Sequence, residues 1–153
     1  MQEQNRKSSF PIVMLLVSVA LWMASLSNVA FYLGNHESMK GLTVLILGSI
    51  FASLDIRYCV AYANYVWLAA IVLLALRKKV VPVHAALWGL ALVAFSVKAV
   101  HVDEAGNTAN IVRYGAGFYL WYAAFAVATI GTFTGKNKER KAATLADGTK
   151  NDA

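Results

Sequence analysis

Apolar residues in this chain come in long blocks, and polar residues come in short breaks between them. Phe10–Leu33 carries no charged side chain. As a helix it would reach about 36 Å, enough to cross a bilayer with some tilt. Gly34–Lys40 reads as a short polar turn. Gly41–Leu54 is apolar but short for a crossing, with Gly48 and Ser49 inside it, so it is expected to be re-entrant, interfacial or part of a long kinked helix running on to residue 77. Asp55 and Arg57 interrupt the pattern. Tyr58–Leu76 is the second full span, closed by Arg77, Lys78 and Lys79. Val80–His101 is the third, with Pro82 in its first turn, where proline is tolerated. Val102–Arg113 reads as a polar loop and Tyr114–Phe133 as the last span. The pattern predicts an all-α fold, a polytopic membrane four-helix bundle with one extra short apolar segment. Residues 10–133 form the membrane domain, between a tail at 1–9 and a basic, flexible tail at 134–153.

Composition agrees with that pattern. The 153 residues are 59% hydrophobic and 14% charged, against about a quarter charged in soluble domains. The length leaves no room for a large soluble catalytic domain beside the spans. The net charge is +6, which in a soluble protein would raise nucleic-acid binding. Here ten of the fourteen Lys and Arg fall in three stretches beside apolar runs: Arg6 and Lys7; Arg77, Lys78 and Lys79; Lys136, Lys138, Arg140, Lys141 and Lys150. Basic flanks of this kind mark the cytoplasmic side. Four spans put all three stretches on that side, whereas five would separate them. The expected location is the bacterial inner membrane, multi-pass, with both termini cytoplasmic. The expected partners are the lipid bilayer and a membrane protein or further copies of the chain, with no nucleic acid.

Smaller features refine this picture. The apolar run after Arg6 and Lys7 continues past Ala24, Ser25 and Ser27 without a clean small-residue cleavage site, so an uncleaved first span is expected. Tyr32, Tyr58, Tyr62, Tyr114, Tyr119 and Trp121 fall near the outer span ends, where such rings favour the interface. Cys59 is the single cysteine, so no disulfide within the chain and no multi-cysteine metal or redox motif can form.

Few residues suggest chemistry. Asp55 and Arg57 lie between two apolar segments, where ionisable groups are expensive and tend to be paired. With Asn64, His36 and Glu37 they make the candidate polar site on the outer face; the plainer alternative is a solvated surface turn. Lys98, His101 and Asp103 form a secondary candidate, although Lys98 can equally snorkel to the interface. His84 and His101 would lie about 25 Å apart on one helix and could not share a metal or haem. No metal, cofactor or catalytic residue is assigned. Asn28, Asn64, Ser18, Ser25 and Ser27 read as hydrogen-bonding glue between helices. Gly115, Gly117 and Gly131 read as close-packing points.

Two stretches carry a resemblance. Val60-Ala61-Tyr62-Ala63-Asn64-Tyr65-Val66-Trp67 and Gly115-Ala116-Gly117-Phe118-Tyr119-Leu120-Trp121 are similar to elements that open the second and last full spans of small uncharacterised bacterial tetraspan inner-membrane proteins. The similarity covers about two-thirds of the chain and implies an architecture without an activity. Tyr65 stands where those proteins often have proline. A second, fainter resemblance is to the membrane-associated glutathione and eicosanoid enzymes, through Arg57 and Asn64. Tyr62 and Trp67 replace the histidine and glutamate of their motif, so no glutathione site can be placed. The function expected is a non-enzymatic accessory or interaction subunit of an envelope complex. The alternatives are a toxin-immunity protein, or a small carrier or membrane enzyme using Asp55, Arg57 and Asn64.

Overall fold

The computed structural model describes residues 10–34, 36–53, 56–76, 81–103 and 105–148, with backbone alone for 10–11, 56–57 and 135–148. In chain order the elements are α1 (Phe10–Ser27), β1 (Val29–Leu33), β2 (Ser38–Lys40), α2 (Gly41–Phe51), a 3-10 segment (Ile56–Ala61), α3 (Tyr62–Ala75), α4 (Val81–Val93) with a 3-10 turn (Ala94–Ser96), β3 (Ala99–His101), β4 (Thr108–Tyr114) and α5 (Ala116–Gly148).

The expected all-α bundle is not what forms. Among the described residues five helices accompany a curled antiparallel sheet of order β2-β1-β4-β3. The difference arises where apolar runs change conformation without changing hydropathy. Val29–Leu33, assigned to the end of the first span, is rich in β-branched and aromatic side chains. It pairs with both β2 and β4, with register shifts in each ladder. Ala99–His101, assigned to the third span, pairs with Asn110–Thr108. Hydropathy alone does not separate a short buried strand from the end of a helix. Two further expectations change. Gly41–Phe51 is a separate short helix, not part of a long one reaching residue 77. The tail expected to be flexible from 134 continues α5 to Gly148, in keeping with its Ala, Lys, Arg and Glu content.

α1 and α5 pack along each other, and the strands that continue them, β1 and β4, pair in turn. The result is one antiparallel ribbon, half helix and half strand. Glycines permit the close approach. A Cβ at Gly117 would lie 2.7 Å from the Asn28 carbonyl oxygen, one at Gly131 would lie 2.8 Å from Met14 Cβ, and one at Gly115 would run into the Val29 carbonyl. The Gly115 amide donates to the Ala30 carbonyl at 2.8 Å.

Two apolar clusters fill the interior. The helix cluster centres on Trp67, Leu87, Ala124 and Phe125, all essentially inaccessible. Ser18 crosses it, donating to the Ala124 carbonyl at 2.7 Å and accepting from Trp67 Nε1 at 3.1 Å. His84 is also buried, with its ring nitrogens 2.9 Å from Thr132 Oγ1 and 3.1 Å from Thr129 Oγ1. The second cluster lies under the sheet and includes Phe31, Leu33, Met39, Val97, Val100 and Phe118.

Among the described residues two helical windows are long and apolar enough to cross a membrane: Tyr58–Ala75, of mean hydropathy 1.8, and Ala116–Thr134, of mean hydropathy 1.3. Ile12–Ser27, Gly41–Phe51 and Val81–Ser96 are apolar but shorter.

Candidate functional site

The second cluster does not close completely. A cavity of about 90 Å³ lies between the sheet, α2 and the ends of the long helices, several times the roughly 10–15 Å³ that admits one water. β1 contributes Ala30 and Phe31, β3 contributes Val100 and His101, and α2 contributes Val44, Leu47 and Gly48. The walls are mostly apolar. The polar side chains at the wall are Ser25, Tyr58, Asn64 and His101.

Each of these groups is fixed by its element. Asn64 begins α3, where α1 and α5 come together. Its Oδ1 accepts from Trp22 Nε1 at 2.9 Å and Trp121 Nε1 at 2.8 Å, and its Nδ2 donates to the Ala61 carbonyl at 3.2 Å. Ser25 donates to the Trp22 carbonyl at 2.6 Å. Both are committed to packing. His101 ends β3; its ring stacks on Phe51 with centroids 3.8 Å apart and meets the Tyr58 ring at a tilt of 49°, with centroids 4.9 Å apart. His101 Nδ1 is buried and has no hydrogen-bond partner.

Of the polar site anticipated on the outer face, Asn64 lines the cavity, and it shares that wall with His101 of the secondary candidate. Asp55 lies outside the described residues, and of Arg57 only the backbone, in the 3-10 segment, is described. His36 and Glu37 are exposed on the β1–β2 turn. His36 there adopts a left-handed backbone with φ 68°, and the Glu37 carbonyl accepts from the Leu33 amide at 2.9 Å. Lys98 is exposed ahead of β3. Asp103 starts the β3–β4 turn, and Glu104 lies outside the described residues. Sequence reasoning named His101 as a neighbour of Lys98 and Asp103. It missed the partners that matter, Phe51 and Tyr58, because they come from distant segments. Among the described residues no group of three or more His, Cys, Asp or Glu could hold a metal ion.

Asp103 has a structural task. Its carboxylate accepts from the Asn107 side chain at 2.6 Å and from the Asn107 amide at 3.0 Å. These bonds, the side-chain one first, hold its pKa below the ordinary 3.8. The folded value is thus the lower one, so the group's contribution to the turn is present above about pH 4 and is lost as pH falls through the folded value. We expect the Asn107 amide resonance to titrate in that acid range. Asp103→Asn should abolish the titration; a titration that persists in the variant would assign it elsewhere.

Comparison with known proteins returns no matching family model, no similar curated protein and no similar solved structure.

Proposed function

We propose that the chain is a multi-pass protein of the inner membrane, held in lipid by its helices with the sheet as an outer cap, and that it acts by binding, as an accessory subunit of a larger membrane complex. One observation carries the membrane part. Large apolar side chains are exposed all along the helices: Ile12 and Leu16 on α1, Leu68 and Val72 on α3, Leu92 on α4 and Ile130 on α5 are each at least half exposed. Only 33% and 39% of the two longest apolar windows is buried, whereas a helix in a water-soluble core would hide most of its surface. An apolar girdle of this extent needs a non-aqueous surrounding. Charge supports the orientation. The helix ends remote from the sheet adjoin the three basic stretches in sequence, as a cytoplasmic side would.

The binding role is supported by how the interior polar groups are used. Ser18, Asn64 and the threonines beside His84 are engaged in bonds between helices. Such bonds, with close glycine contacts, substitute for the hydrophobic drive that lipid removes. The similarity of the Asn64 and Gly115 elements to small bacterial tetraspan proteins fits the same placement.

The chain should stay with membranes through an alkaline carbonate wash; release into the supernatant would overturn the embedding. In a Cys59→Ala background, a cysteine at Ser38 should react with an impermeant maleimide in intact cells, and one at Lys78 only after permeabilisation. Crosslinking in intact membranes should recover the tagged chain with one membrane protein in constant ratio. Recovery of the chain alone would remove the accessory role.

A further inference from the structure

We infer that the cavity under the sheet is a binding site for an uncharged, largely hydrocarbon molecule bearing one hydroxyl or carbonyl group, with His101 Nδ1 as its hydrogen-bond partner. This goes beyond the accessory role and holds whether or not a protein partner exists.

Three observations select that chemistry. First, the space is real and apolar: about 90 Å³ walled chiefly by aliphatic and aromatic side chains. Genuinely apolar cavities stay dry and accept apolar guests. Second, among the described residues no lysine, arginine, aspartate or glutamate contributes to the wall. A carboxylate or phosphate would therefore lose its water and gain no counter-charge there, which is costly. An uncharged guest has no such penalty. Third, His101 Nδ1 is buried without a partner. A group in that state carries a penalty, and a guest oxygen would relieve it. The ring stacks on Phe51 and abuts Tyr58, so it is fixed in place before any guest arrives. Nδ1 can accept from a hydroxyl in one tautomer and donate to a carbonyl in the other. Most of the other polar capacity at the wall is already spent: Asn64 and Ser25 face Trp22, Trp121 and backbone carbonyls. Among the described residues the site thus combines a broad apolar wall with an unpartnered polar atom, the usual economy of a small-molecule pocket.

The test uses the full chain in nanodiscs with two photoreactive probes small enough for the space, a diazirine-bearing 1-butanol and the matching diazirine-bearing butane. Labelled peptides are mapped by mass spectrometry. Saturable labelling of the segments holding Val44, Val100 and Phe118 is expected, competed by unlabelled 1-butanol. The alcohol should bind about three- to tenfold more tightly than the alkane, the range of one net hydrogen bond. His101→Phe keeps an aromatic ring in the stack; it should erase that preference and leave alkane labelling in place. Val44→Trp fills the space and should reduce labelling by both probes. Unsaturable labelling spread over the exposed faces of α1 and α3, unaffected by Val44→Trp, would overturn the site. Saturable labelling with equal affinity for both probes in the unmodified chain would overturn the role of His101, and that comparison requires no variant to fold.

Discussion

Replacing Gly115 with alanine is expected to destabilise the protein by about 3 kcal/mol or more, at the top of the range for overpacking. In a chain of this size that corresponds to a fall of roughly 10 °C in Tm. The added methyl has nowhere to go. It would run into the Val29 backbone carbonyl, and a carbonyl in a paired strand cannot rotate aside as a side chain can. The site is also where α1 passes into β1 and β4 passes into α5, so a local shift pries apart the sheet and the helix pair together. Gly89→Ala is the control. Nothing lies within 4 Å of a Cβ there, and alanine inside a helix is favoured over glycine by about 0.5–1 kcal/mol. Thermal unfolding of the two variants should move in opposite directions. Equal behaviour would mean that the ribbon is not closely packed at Gly115.

The second large effect is expected at Asn64. Asn64→Leu keeps the branched heavy-atom shape but removes the acceptor shared by Trp22 and Trp121. Each indole N–H left unbonded costs about 1–3 kcal/mol, so a total loss of about 2–6 kcal/mol is expected. Trp22 also stacks on Trp67 with centroids 5.0 Å apart, so the change should reach the centre of the helix cluster and alter tryptophan emission. The discriminating measurement is a double-mutant cycle. Trp121→Phe should cost clearly less in the Asn64→Leu background than in the unmodified chain, since its bond is already gone. Additive costs would show that the Asn64–Trp121 bond contributes nothing to stability.

These two positions also show what the sequence made legible. Asn64 as a bridge between helices, and Gly115, Gly117 and Gly131 as points of close approach, follow from residue type and place in an apolar run. The apolar blocks themselves located the helices well. What could not be read was where each block stops being helical. Val29–Leu33 continues the hydropathy of α1 without a break, and its partner strand is Ile111–Tyr114, far along the chain and inside what reads as a polar loop. No local pattern encodes a pairing of that range. The cavity was hidden for the same reason. Phe51, Tyr58 and His101 are unremarkable one at a time; the sheet is what brings His101 against the other two. Without a sheet in view, charge drew attention to Asp55, Arg57, His36 and Glu37, whereas the described wall of the cavity is mostly aliphatic and aromatic.

The central strands β1 and β4 come from early and late parts of the chain, and that sets an order of assembly during synthesis. Ribosomes add roughly 5–20 residues per second, so β1 is complete several seconds before Thr108–Tyr114 exists to pair with it. Throughout that interval one edge of β1 is unsatisfied, a template for the wrong strand. The roof over the cavity can be finished only once α5 has begun to form, so a nascent chain stalled before residue 108 has α1 to α4 but lacks both the partner helix of α1 and the wall that Phe118 and Trp121 supply.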